Sequence, residues 1–559
     1  MDYIDARRLT GPNLLMNEPG SILDITCAPE QVSEVVATWE ATIKPMLSAL
    51  GWHDKHITSS PLTGGVSLAF TAPIDVLYAA SEVNEWAWKV MEAHFQGKIP
   101  PKFEQAFLDI SAEREEEKNP SLLALAEQAR KENVSLLWDD DEVSVGLGRG
   151  SQTWPFRELP KPQTLSWPNF HDIPVGIVTG TNGKTTTVRL ATRIVQETNK
   201  NVGVSCTDWI AVNSEIIERG DWSGPGGARN VLRQKNVDIA VLECARGGML
   251  RRGLGVEKAE VALITNIAED HLGDFGSRNL NELLNIKWVV SHPVRNEGYL
   301  VLNADDPLLV NKAKNYEGQL VWFSLDDDNP VVEDHLKQGG LAFVLANEQL
   351  LHCQGTERSP ICASDEIPIT LGGAARHNIA NSLAAAALTY CLGTTIEDIR
   401  AGLKGVQQED NPGRCNLYDV SGVSVLVDFA HNPHAMQALF DMAAALPAKR
   451  RLLAFGQAGD RPDSLIQELA REAWSIGLDR ILVSELEDYH RGRNHGEVYQ
   501  LISEELLKQG AQADQIRHFE KEIEALEAAL SWARPGDLII MLALAEGVAI
   551  QEHLDKLTS

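Results

Sequence analysis

The middle of the chain alternates short, almost entirely apolar runs with amphipathic stretches of helical period. The apolar runs end in polar residues, and strands buried on both faces of a parallel sheet have this composition. Functional side chains collect at the carboxyl ends of such strands. We therefore predict a central α/β domain with a parallel sheet over residues 163–412. Its predicted strands are Ile173–Val178, Val237–Glu243, Val261–Asn266 and Gly298–Asn303.

A second series of the same kind begins near Gly413. Apolar strands again alternate with helical stretches, which predicts a Rossmann-like α/β domain over residues 413–559. Its predicted strands are Val423–Asp428, Arg451–Phe455, Arg480–Val483 and Asp537–Met541, and its helices include Ala435–Ala445 and Asp463–Ile476.

The first part of the chain mixes strand and helix patterns without a regular alternation. This predicts an α+β domain over residues 1–162, which ends in the proline-marked linker Pro155–Pro162. Its predicted elements are the strand Val66–Thr71, the helices Asp75–Phe95 and Ser121–Lys131, and a hairpin of Val134–Trp138 with Val143–Leu147.

Composition narrows the class of protein. The 559 residues carry a formal net charge of −29, and nonspecific nucleic-acid binding needs a basic surface, so we expect no nucleic-acid partner. The seven cysteines include no Cys-x-x-Cys pair, which fits reduced thiols. No leader-like stretch opens the chain, and no apolar run is long enough to cross a bilayer. We expect a cytoplasmic protein with no membrane partner.

The first predicted central strand leads into the loop Thr179–Thr187, with the sequence TGTNGKTTT, and then into a predicted helix over Val188–Val195. A glycine loop between a strand and a helix points backbone N–H groups at one place, which suits phosphate. Lys184 can reach the terminal phosphates, and Thr185 has a hydroxyl suited to Mg²⁺. The standard nucleotide-binding pattern would need glycine where this chain has Val178. We predict an ATP site, with loop ligands Thr181, Asn182, Gly183, Lys184, Thr185 and Thr186.

Acidic and imidazole side chains follow the next predicted strands. Glu243 ends one strand, and Asp270 and His271 come shortly after another. The carboxyl ends of parallel strands meet at one edge, where these groups would lie beside the phosphate loop. Carboxylate, hydroxyl and phosphate oxygens are the ligands that Mg²⁺ prefers, so Glu243 and Thr185 are candidate metal ligands. Each residue taken singly could equally be an ordinary polar loop residue.

The variant phosphate loop and the Asn266…Asp270-His-Leu order resemble the Mur ligase superfamily, which joins an amine to a carboxylate with ATP. The run Glu243–Gly255, ECARGGMLRRGLG, resembles more narrowly the Mur-type half of cyanophycin synthetases. The resemblance implies catalytic roles for Lys184, Glu243, His271 and Lys287. Lys287 matches a lysine that many Mur ligases carbamylate, so His271 and Lys287 would hold a second Mg²⁺. A solvent-facing helix position is the alternative for Lys287.

The same resemblance extends to the nucleotide. The stretch His377–Asn381 matches the family's His-Asn-x-x-Asn element, which implies that Asn378 and Asn381 bind adenine. Helix capping by Asn378 is the alternative. Arg414, in Pro-Gly-Arg, would approach the phosphates, and Asp428 would bind the ribose.

Substrate residues are also implied. His431 would lie near the phosphates or the amine, and Arg246 near the acceptor carboxylate, for which its bidentate fork is apt. The run Asp488–Val498 matches a stretch of cyanophycin synthetases, which makes Asp488 and Arg491 candidates for the incoming amino acid. A solvated charged loop is the alternative.

The start of the chain and Val143–Pro155 resemble the N-terminal part of cyanophycin synthetases, but the sequence then passes directly to Ile173. The ATP-grasp domain of that enzyme is missing from this interval. We therefore expect no backbone extension by this chain and consider a separate ATP-grasp partner enzyme.

Together these observations predict an ADP-forming amide ligase that acts through an acyl phosphate. We expect it to join a free amino acid, either arginine or lysine, to a carboxylate of an aspartate-containing peptide or cyanophycin-like polymer. ATP and two Mg²⁺ ions are the expected cofactors, and a homo-oligomer is expected. The alternatives are a Mur-type ligase of another small acid, a non-catalytic ATP-binding subunit of a cyanophycin-type synthetase, and a nucleotide-dependent switch.

Overall fold

A computed structural model describes residues 1–270 and 279–558. The N-terminal elements are β1 (Asp2–Leu9), β2 (Gly20–Thr26), α1 (Val32–Ala49), β3 (Ile57–Leu62), β4 (Gly65–Thr71), α2 (Leu77–Phe95), α3 (Phe103–Glu117), α4 (Pro120–Lys131), β5 (Leu136–Trp138), β6 (Glu142–Val145) and β7 (Gln152–Pro155). An antiparallel sheet in the order β1-β2-β4-β3 packs against α1 and α2, and β5-β6-β7 form a second small sheet.

The central elements are β8 (Val175–Thr179), α5 (Lys184–Gln196), β9 (Val202–Ser205), β10 (Trp209–Val212), β11 (Glu215–Arg219), α6 (Pro225–Leu232), β12 (Ile239–Glu243), α7 (Arg246–Arg252), β13 (Ala259–Ile264), α8 (Leu280–Trp288), β14 (Val294–Asn303), α9 (Pro307–Ala313), β15 (Gln319–Ser324), α10 (Pro330–Lys337), β16 (Leu341–Ala346), β17 (Gln349–Gln354), β18 (Glu357–Ala363), α11 (Arg376–Cys391) and α12 (Ile396–Gly405). The strands form one sheet in the order β11-β10-β9-β12-β8-β13-β14-β15-β16-β17-β18.

Seven neighbouring strands of this sheet, β9 to β16 in spatial order, are parallel, and antiparallel hairpins extend both ends. Helices α5, α11 and α12 cover one face, and α6 to α10 cover the other. Strands buried on both faces must be apolar throughout, which is why the sequence shows them as short hydrophobic runs. Because β8 lies between β12 and β13, the phosphate loop and the polar ends of those strands meet at one edge.

The C-terminal elements are β19 (Asn416–Val420), β20 (Val423–Asp428), α13 (Pro433–Ala445), β21 (Arg451–Phe455), α14 (Asp463–Ser475), β22 (Arg480–Ser484), α15 (Glu497–Lys508), β23 (Ile516–Phe519), α16 (Glu522–Trp532), β24 (Leu538–Leu542) and α17 (Gly547–Thr558). The strand order is β19-β20-β24-β21-β22-β23, and all pairs except β19 with β20 are parallel. Helices α13 to α15 cover one face of this sheet, and α16 and α17 cover the other.

The predicted fold class is confirmed: an α+β N-terminal part, a central, mostly parallel sheet with a phosphate loop, and a C-terminal α/β sheet. The sheets fall inside the predicted ranges 1–162, 163–412 and 413–559, whose limits stay predictions. One helix start was wrong, because α5 begins at Lys184 rather than Val188. The polarity of Lys184–Thr187 predicted a loop, but Thr185, Thr186 and Thr187 are buried in the first turn of α5.

A buried arginine ties the central sheet to the segment that enters the C-terminal part. Arg189, on α5, is 4% exposed and donates to Asn411 Oδ1 at 3.1 Å and to Pro412 O at 3.2 Å. Its other terminal nitrogen pairs with Asp208 at 2.5 Å. Within the described residues, no helix is both long and apolar enough to cross a membrane.

Candidate active site

The phosphate loop is held in shape by two glycines with positive φ. Gly180 has φ +148° and Gly183 has φ +84°, and a Cβ at Gly183 would lie 2.2 Å from Asn381 Oδ1. Gly183 is the N-cap of α5 and offers no side-chain acceptor to the first helical N–H groups. Those donors therefore remain available to an anion. Lys184 Nζ donates to Thr181 O at 2.9 Å, so the lysine lies over the loop.

A buried carboxylate borders this loop. Glu243 is 1% exposed and accepts hydrogen bonds from Thr185 Oγ1 at 2.9 Å, Thr207 Oγ1 at 2.9 Å and Thr207 N at 3.2 Å. No basic side chain of the described residues lies within ion-pair distance of it. A buried carboxylate beside two hydroxyls, with no described protein cation within ion-pair distance, is a donor set that fits Mg²⁺. The residues present therefore fit the predicted ion at Thr185 and Glu243.

Lys287 is not solvent-facing. It is 4% exposed and donates to Gly180 O at 2.6 Å, from α8 to the start of the phosphate loop. Burial, and next the charge of Lys184, lowers the pKa of Lys287 well below its usual value. The surface interpretation of this lysine is thus excluded, and Lys287 lines the same cavity as Glu243.

The edge beyond β13 contacts the C-terminal part. Asp270 Oδ1 lies 3.4 Å from both terminal nitrogens of Arg461, and Asp270 Oδ2 lies 3.7 Å from His431 Nε2. Both partners of Asp270 come from loops at the carboxyl ends of the C-terminal strands. His271 lies outside the described residues, so its predicted metal and catalytic role is a sequence prediction alone.

Two adjoining cavities meet at this edge. One, of about 370 Å³, is lined by Lys184, Thr185, Glu243, Arg246 and Lys287 among others. The other, of about 650 Å³, has a mostly apolar wall and lies between α11, α13 and the β14–β15 edge. The shared lining residues are Asn182, Gly183, Thr186, Arg414, Phe429 and His431. A volume of this size and polarity accommodates a nucleoside, with its phosphates directed toward the smaller cavity.

The two predicted adenine-binding asparagines lie in the larger cavity. Asn378 donates to Ile369 O at 2.8 Å and accepts from Asn381 Nδ2 at 3.2 Å. The helix begins two residues earlier, at Arg376, with Ala375 as its N-cap, so Asn378 is not the cap. The capping interpretation was wrong because the polar stretch is itself the first turn of α11.

Asp428 and Arg414 line the same cavity from the start of the C-terminal part. Asp428 Oδ2 accepts from Cys415 N at 2.8 Å and lies 3.2 Å from Cys415 Sγ. Burial, followed by the charge of Asp428, raises the pKa of the Cys415 thiol well above its usual value. The thiol therefore stays protonated and can donate to this oxygen. The Arg414 guanidinium lies 4.5 Å from the Phe429 ring centroid.

One phosphate-loop residue reaches the C-terminal part directly. Asn182 Oδ1 accepts from Asn432 Nδ2 at 2.9 Å, and Asn182 Nδ2 lies 3.3 Å from Asn432 Oδ1. Asn182 Nδ2 also lies 3.0 Å from His434 Nδ1, which must accept this hydrogen bond. We call this contact the asparagine bridge. The sequence analysis did not anticipate it.

The predicted amino-acid loop lies elsewhere on the same sheet edge. Asp488 is exposed, Arg491 pairs with Asp460, and neither lines the two cavities. The nearby Glu485 is buried and accepts from His490 and His518 at 3.2 and 2.7 Å, so both of its carboxylate oxygens already have partners within the protein. The roles of Asp488 and Arg491 stay predictions.

The structure thus brings most predicted residues together at the two cavities: Thr181, Asn182, Gly183, Lys184, Thr185, Thr186, Glu243, Arg246, Lys287, Asn378, Asn381, Arg414, Asp428 and His431. Thr207 and Asn432 are additional neighbours that sequence reasoning missed, and Arg461 is a neighbour whose role the sequence left open. For Arg461, the Gly-Asp-Arg sequence was a signal, but only the structure shows its partner Asp270. Thr207 lies in a polar stretch without a recognisable pattern.

Two protein-family models match the chain. The Mur ligase middle domain matches residues 178–389, and the Mur ligase glutamate ligase domain matches residues 413–543. The chain belongs to the Mur ligase family. Both matched ranges include residues of the candidate site.

Relatives of this Mur ligase family member include the cyanophycin synthetase of Geminocystis herdmanii, which is 38% identical over 409 residues. The aligned region covers 72% of this chain and 46% of the cyanophycin synthetase. The UDP-N-acetylmuramoyl-L-alanyl-D-glutamate–2,6-diaminopimelate ligase of Geobacillus kaustophilus is 25% identical over 385 residues, 65% of this chain and 72% of the relative. The chain spans about half the length of the cyanophycin synthetases it matches.

Among solved structures, E. coli FolC in complex with DHPP and ADP is similar, with a TM-score of 0.51 and 20% identity over 69% of this chain and 89% of FolC. This likeness supports the fold. The predicted enzyme class is confirmed at the level of the family, whose members are ADP-forming ligases that use ATP and Mg²⁺.

Proposed function

We propose that this chain is an ADP-forming amide ligase that joins arginine or lysine to a carboxylate of an aspartate-containing peptide or cyanophycin-like polymer. The observation that carries the proposal is the meeting of Lys184, Thr185, Glu243 and Lys287 at one cavity, which opens into a second, nucleoside-sized cavity. Sequence identity of 38% to cyanophycin synthetases supports the choice of substrates.

In the proposed reaction, an acceptor carboxylate oxygen attacks the γ-phosphorus of ATP. The bond from that phosphorus to the bridging oxygen of ADP breaks, and an acyl phosphate forms. Lys184 and the open N–H groups of α5 neutralise the charge that develops on the phosphoryl oxygens. Mg²⁺ held by Thr185 and Glu243 would add positive charge at the same phosphates.

The amine nitrogen of the amino acid then attacks the acyl carbon. The carbon–oxygen bond to phosphate breaks, phosphate leaves, and the amine loses a proton to a base or to solvent. Arg246 borders the phosphate cavity, where its guanidinium fits the acceptor carboxylate. His431 lines both cavities and is the proposed neighbour of the phosphates or the amine. In this proposal, His271 and Lys287, the latter with its amine carbamylated, would hold a second Mg²⁺.

Two features bear on the acceptor. The N-terminal part is a folded α+β unit joined to the central sheet, and we propose that it contributes to acceptor binding. The interval between Pro155 and Ile173 contains no ATP-grasp domain. The aspartate backbone would therefore come from a separate enzyme or from an existing peptide.

The test measures ADP and phosphate release, and mass added to the acceptor, with ATP, Mg²⁺ and a panel of amino acids. Each amino acid is offered with and without aspartate-containing peptides, and Lys184→Ala is the control variant. Release that needs an acceptor together with arginine or lysine supports the proposal. Release without an acceptor would favour a nucleotide switch, and nucleotide binding without turnover on any pair would favour a non-catalytic subunit.

A further inference from the structure

Two loops of the C-terminal part lie side by side at the sheet edge that faces the candidate active site. Residues 456–462 follow β21 and residues 485–496 follow β22, and these two strands are adjacent and parallel. Because parallel strands end at the same edge of a sheet, the loops that follow them meet. We call residues 456–462, which include Arg461, the GDR loop. Residues 485–496 are the RGR loop, whose Arg491 and Arg493 do not line either of the two cavities.

The RGR loop packs directly against a glycine of the GDR loop. Gly459 N donates to Tyr489 O at 2.8 Å, and a Cβ added at Gly459 would lie 2.0 Å from His490 O. A side chain at this position would therefore force the two loops apart. After this contact the RGR loop turns through Arg491, with φ +45°, and Gly492, with φ +97°, and returns toward the GDR loop.

Arg493 then joins the two loops through backbone carbonyls. Its Nε donates to Gly459 O at 2.7 Å, and its Nη2 donates to Arg461 O at 2.8 Å. The side chain is 16% exposed, so water competes little with these hydrogen bonds, and the charge of the donor strengthens them. Its acidic partners Asp463 and Glu497 are 62% and 40% exposed, and such exposed ion pairs contribute little. The main result of the Arg493 contacts is therefore a fixed backbone in the GDR loop.

The fixed backbone carries a buried arginine that contacts the central part. Arg461 is buried, and its described acidic partner is Asp270, at 3.4 Å. Asp270 lines the phosphate cavity together with Glu243 and Lys287. A buried guanidinium depends on its counter-charge, so a shift of the GDR loop that separates this pair is costly. The pair is long for a charged hydrogen bond, and such contacts tighten when substrates complete a site.

We propose that Arg493 is a positioning residue for the ligation. It holds Arg461 against Asp270, and this pair keeps the C-terminal part closed over the phosphate cavity during the reaction. The inference rests on the proposed ligase function and gives the Arg-Gly-Arg sequence a role that needs no contact with substrate. Closure excludes water and brings the amine to the acyl phosphate. Loss of Arg493 should therefore slow amide formation without weakening nucleotide binding, because Arg493 contacts no residue that lines the nucleoside cavity.

The first test is a double-mutant cycle on kcat, with ATP, Mg²⁺, arginine and an aspartate-containing peptide at saturating concentrations. Arg461→Ala and Arg493→Ala should each lower kcat about tenfold, and the double variant should be no slower than Arg461→Ala alone. Independent effects would multiply to about a hundredfold loss, which would overturn the proposal. The Kd of a non-hydrolysable ATP analogue should stay within about twofold of wild type in both single variants, and a rise in Kd that matches the fall in kcat would overturn it too.

Three more variants separate the carbonyl contacts from charge and from folding. Arg493→Lys keeps the charge but cannot span both carbonyls, so its kcat should stay close to that of Arg493→Ala, and wild-type kcat would overturn the proposal. The matched control is Arg451→Ala, because Arg451, at the start of β21, also donates to backbone carbonyls, those of Ala443 and Leu446. This control should lower Tm but keep kcat, and an equal loss of kcat would count against Arg493. Gly459→Ala forces the loops apart and should reproduce the low kcat if Arg493→Ala folds poorly.

A measurement that needs no amide formation separates this inference from the proposed function. Chymotrypsin, which does not cleave at arginine, is added to the full chain with the ATP analogue and Mg²⁺, and cleavage between the central and C-terminal parts is followed by mass spectrometry. Arg461→Ala, Arg493→Ala and the double variant should be cleaved severalfold faster than wild type and at the same rate as one another. This pattern in a chain that forms no amide refutes the ligase while the role of Arg493 stands. Unchanged cleavage of Arg493→Ala in an active ligase refutes the role of Arg493 alone.

Discussion

Glu243→Gln separates the metal-binding role of Glu243 from its structural role. Glutamine has nearly the same shape, and its amide oxygen can still accept from Thr207 N and Thr185 Oγ1, while the hydroxyl of Thr207 can rotate to accept from the new NH₂ group. Without ligand, we therefore expect the free energy of unfolding to change by about 1 kcal/mol or less. The variant lacks the negative charge that a divalent cation needs.

The size of the expected effect follows from ligand linkage. A non-hydrolysable ATP analogue with Mg²⁺, at one hundred times its Kd, stabilises the folded protein by about 2.7 kcal/mol. For a domain of the size matched over residues 178–389, each kcal/mol moves Tm by about 2–4 °C, so the midpoint should rise by roughly 5–10 °C. In wild type, EDTA should abolish the Mg²⁺-dependent part of this rise in Tm. In Glu243→Gln, that part should be absent even when Mg²⁺ is present.

The assay is thermal unfolding with the analogue, with and without Mg²⁺. Glu522→Gln is the matched control, because Glu522 is also 1% exposed and also accepts three hydrogen bonds, from the backbone N–H groups of Leu544, Ala545 and Glu546. That variant should keep its full response to Mg²⁺. A Glu243→Gln protein with a wild-type response to Mg²⁺ would refute the placement of the metal at Glu243.

Three further predictions concern the contacts between the central and C-terminal parts. Asn432→Ser keeps a helix cap but removes the reciprocal hydrogen bonds to Asn182. It should therefore increase the rate of proteolysis between the two parts and raise KM for ATP severalfold. An unchanged rate of proteolysis would contradict the role of the asparagine bridge. Burial lowers the pKa of His434 below its usual 6.5; its neutral Nδ1 accepts from Asn182, so this contribution is present above pH 6.5 and is lost as pH falls through the lowered pKa. Thermal midpoints between pH 7.5 and 5 should show this loss in wild type and not in His434→Ala. Arg189→Ala should lower the free energy of unfolding by about 2 kcal/mol in urea titrations, less than for a fully buried pair because the Asp208 side chain that remains is 40% exposed and can be solvated. Asp208→Ala should cost at least as much, because it leaves the 4% exposed Arg189 side chain without its counter-charge.

The strands that carry the fold were predictable because they are buried on both faces. β20 and β21 have the bounds that their apolar runs predict. β1 was missed, since charged residues make up half of its sequence DYIDARRL and its side chains are mostly exposed or half-buried. Such a strand is held by its pairing with β2 and by contacts to α7, which no local pattern reveals.

For the candidate active site too, local sequence patterns predicted some features and not others. Residues in short motifs beside a strand end, such as Lys184 and Glu243, could be predicted because sequence neighbours stay neighbours in the fold. Contacts between distant segments could not: Asn182 and Asn432 are 250 positions apart, and Asp270 and Arg461 are 191 apart. These pairs depend on how the two sheets face each other, and that arrangement is set by packing over the whole molecule.

The ends of the eleven-stranded sheet have a consequence for the protein in a crowded solution. A sheet edge offers unpaired N–H and C=O groups to any other chain, and long sheets with apolar edges aggregate. One edge here is β11, whose sequence EIIER places charges around two exposed isoleucines. The other is β18, where Pro360 lacks an N–H and charged residues begin the strand. Replacing the charges of β11 or Pro360 with valine would turn a protected edge into a template for fibre-like association, without changing any residue of the candidate active site.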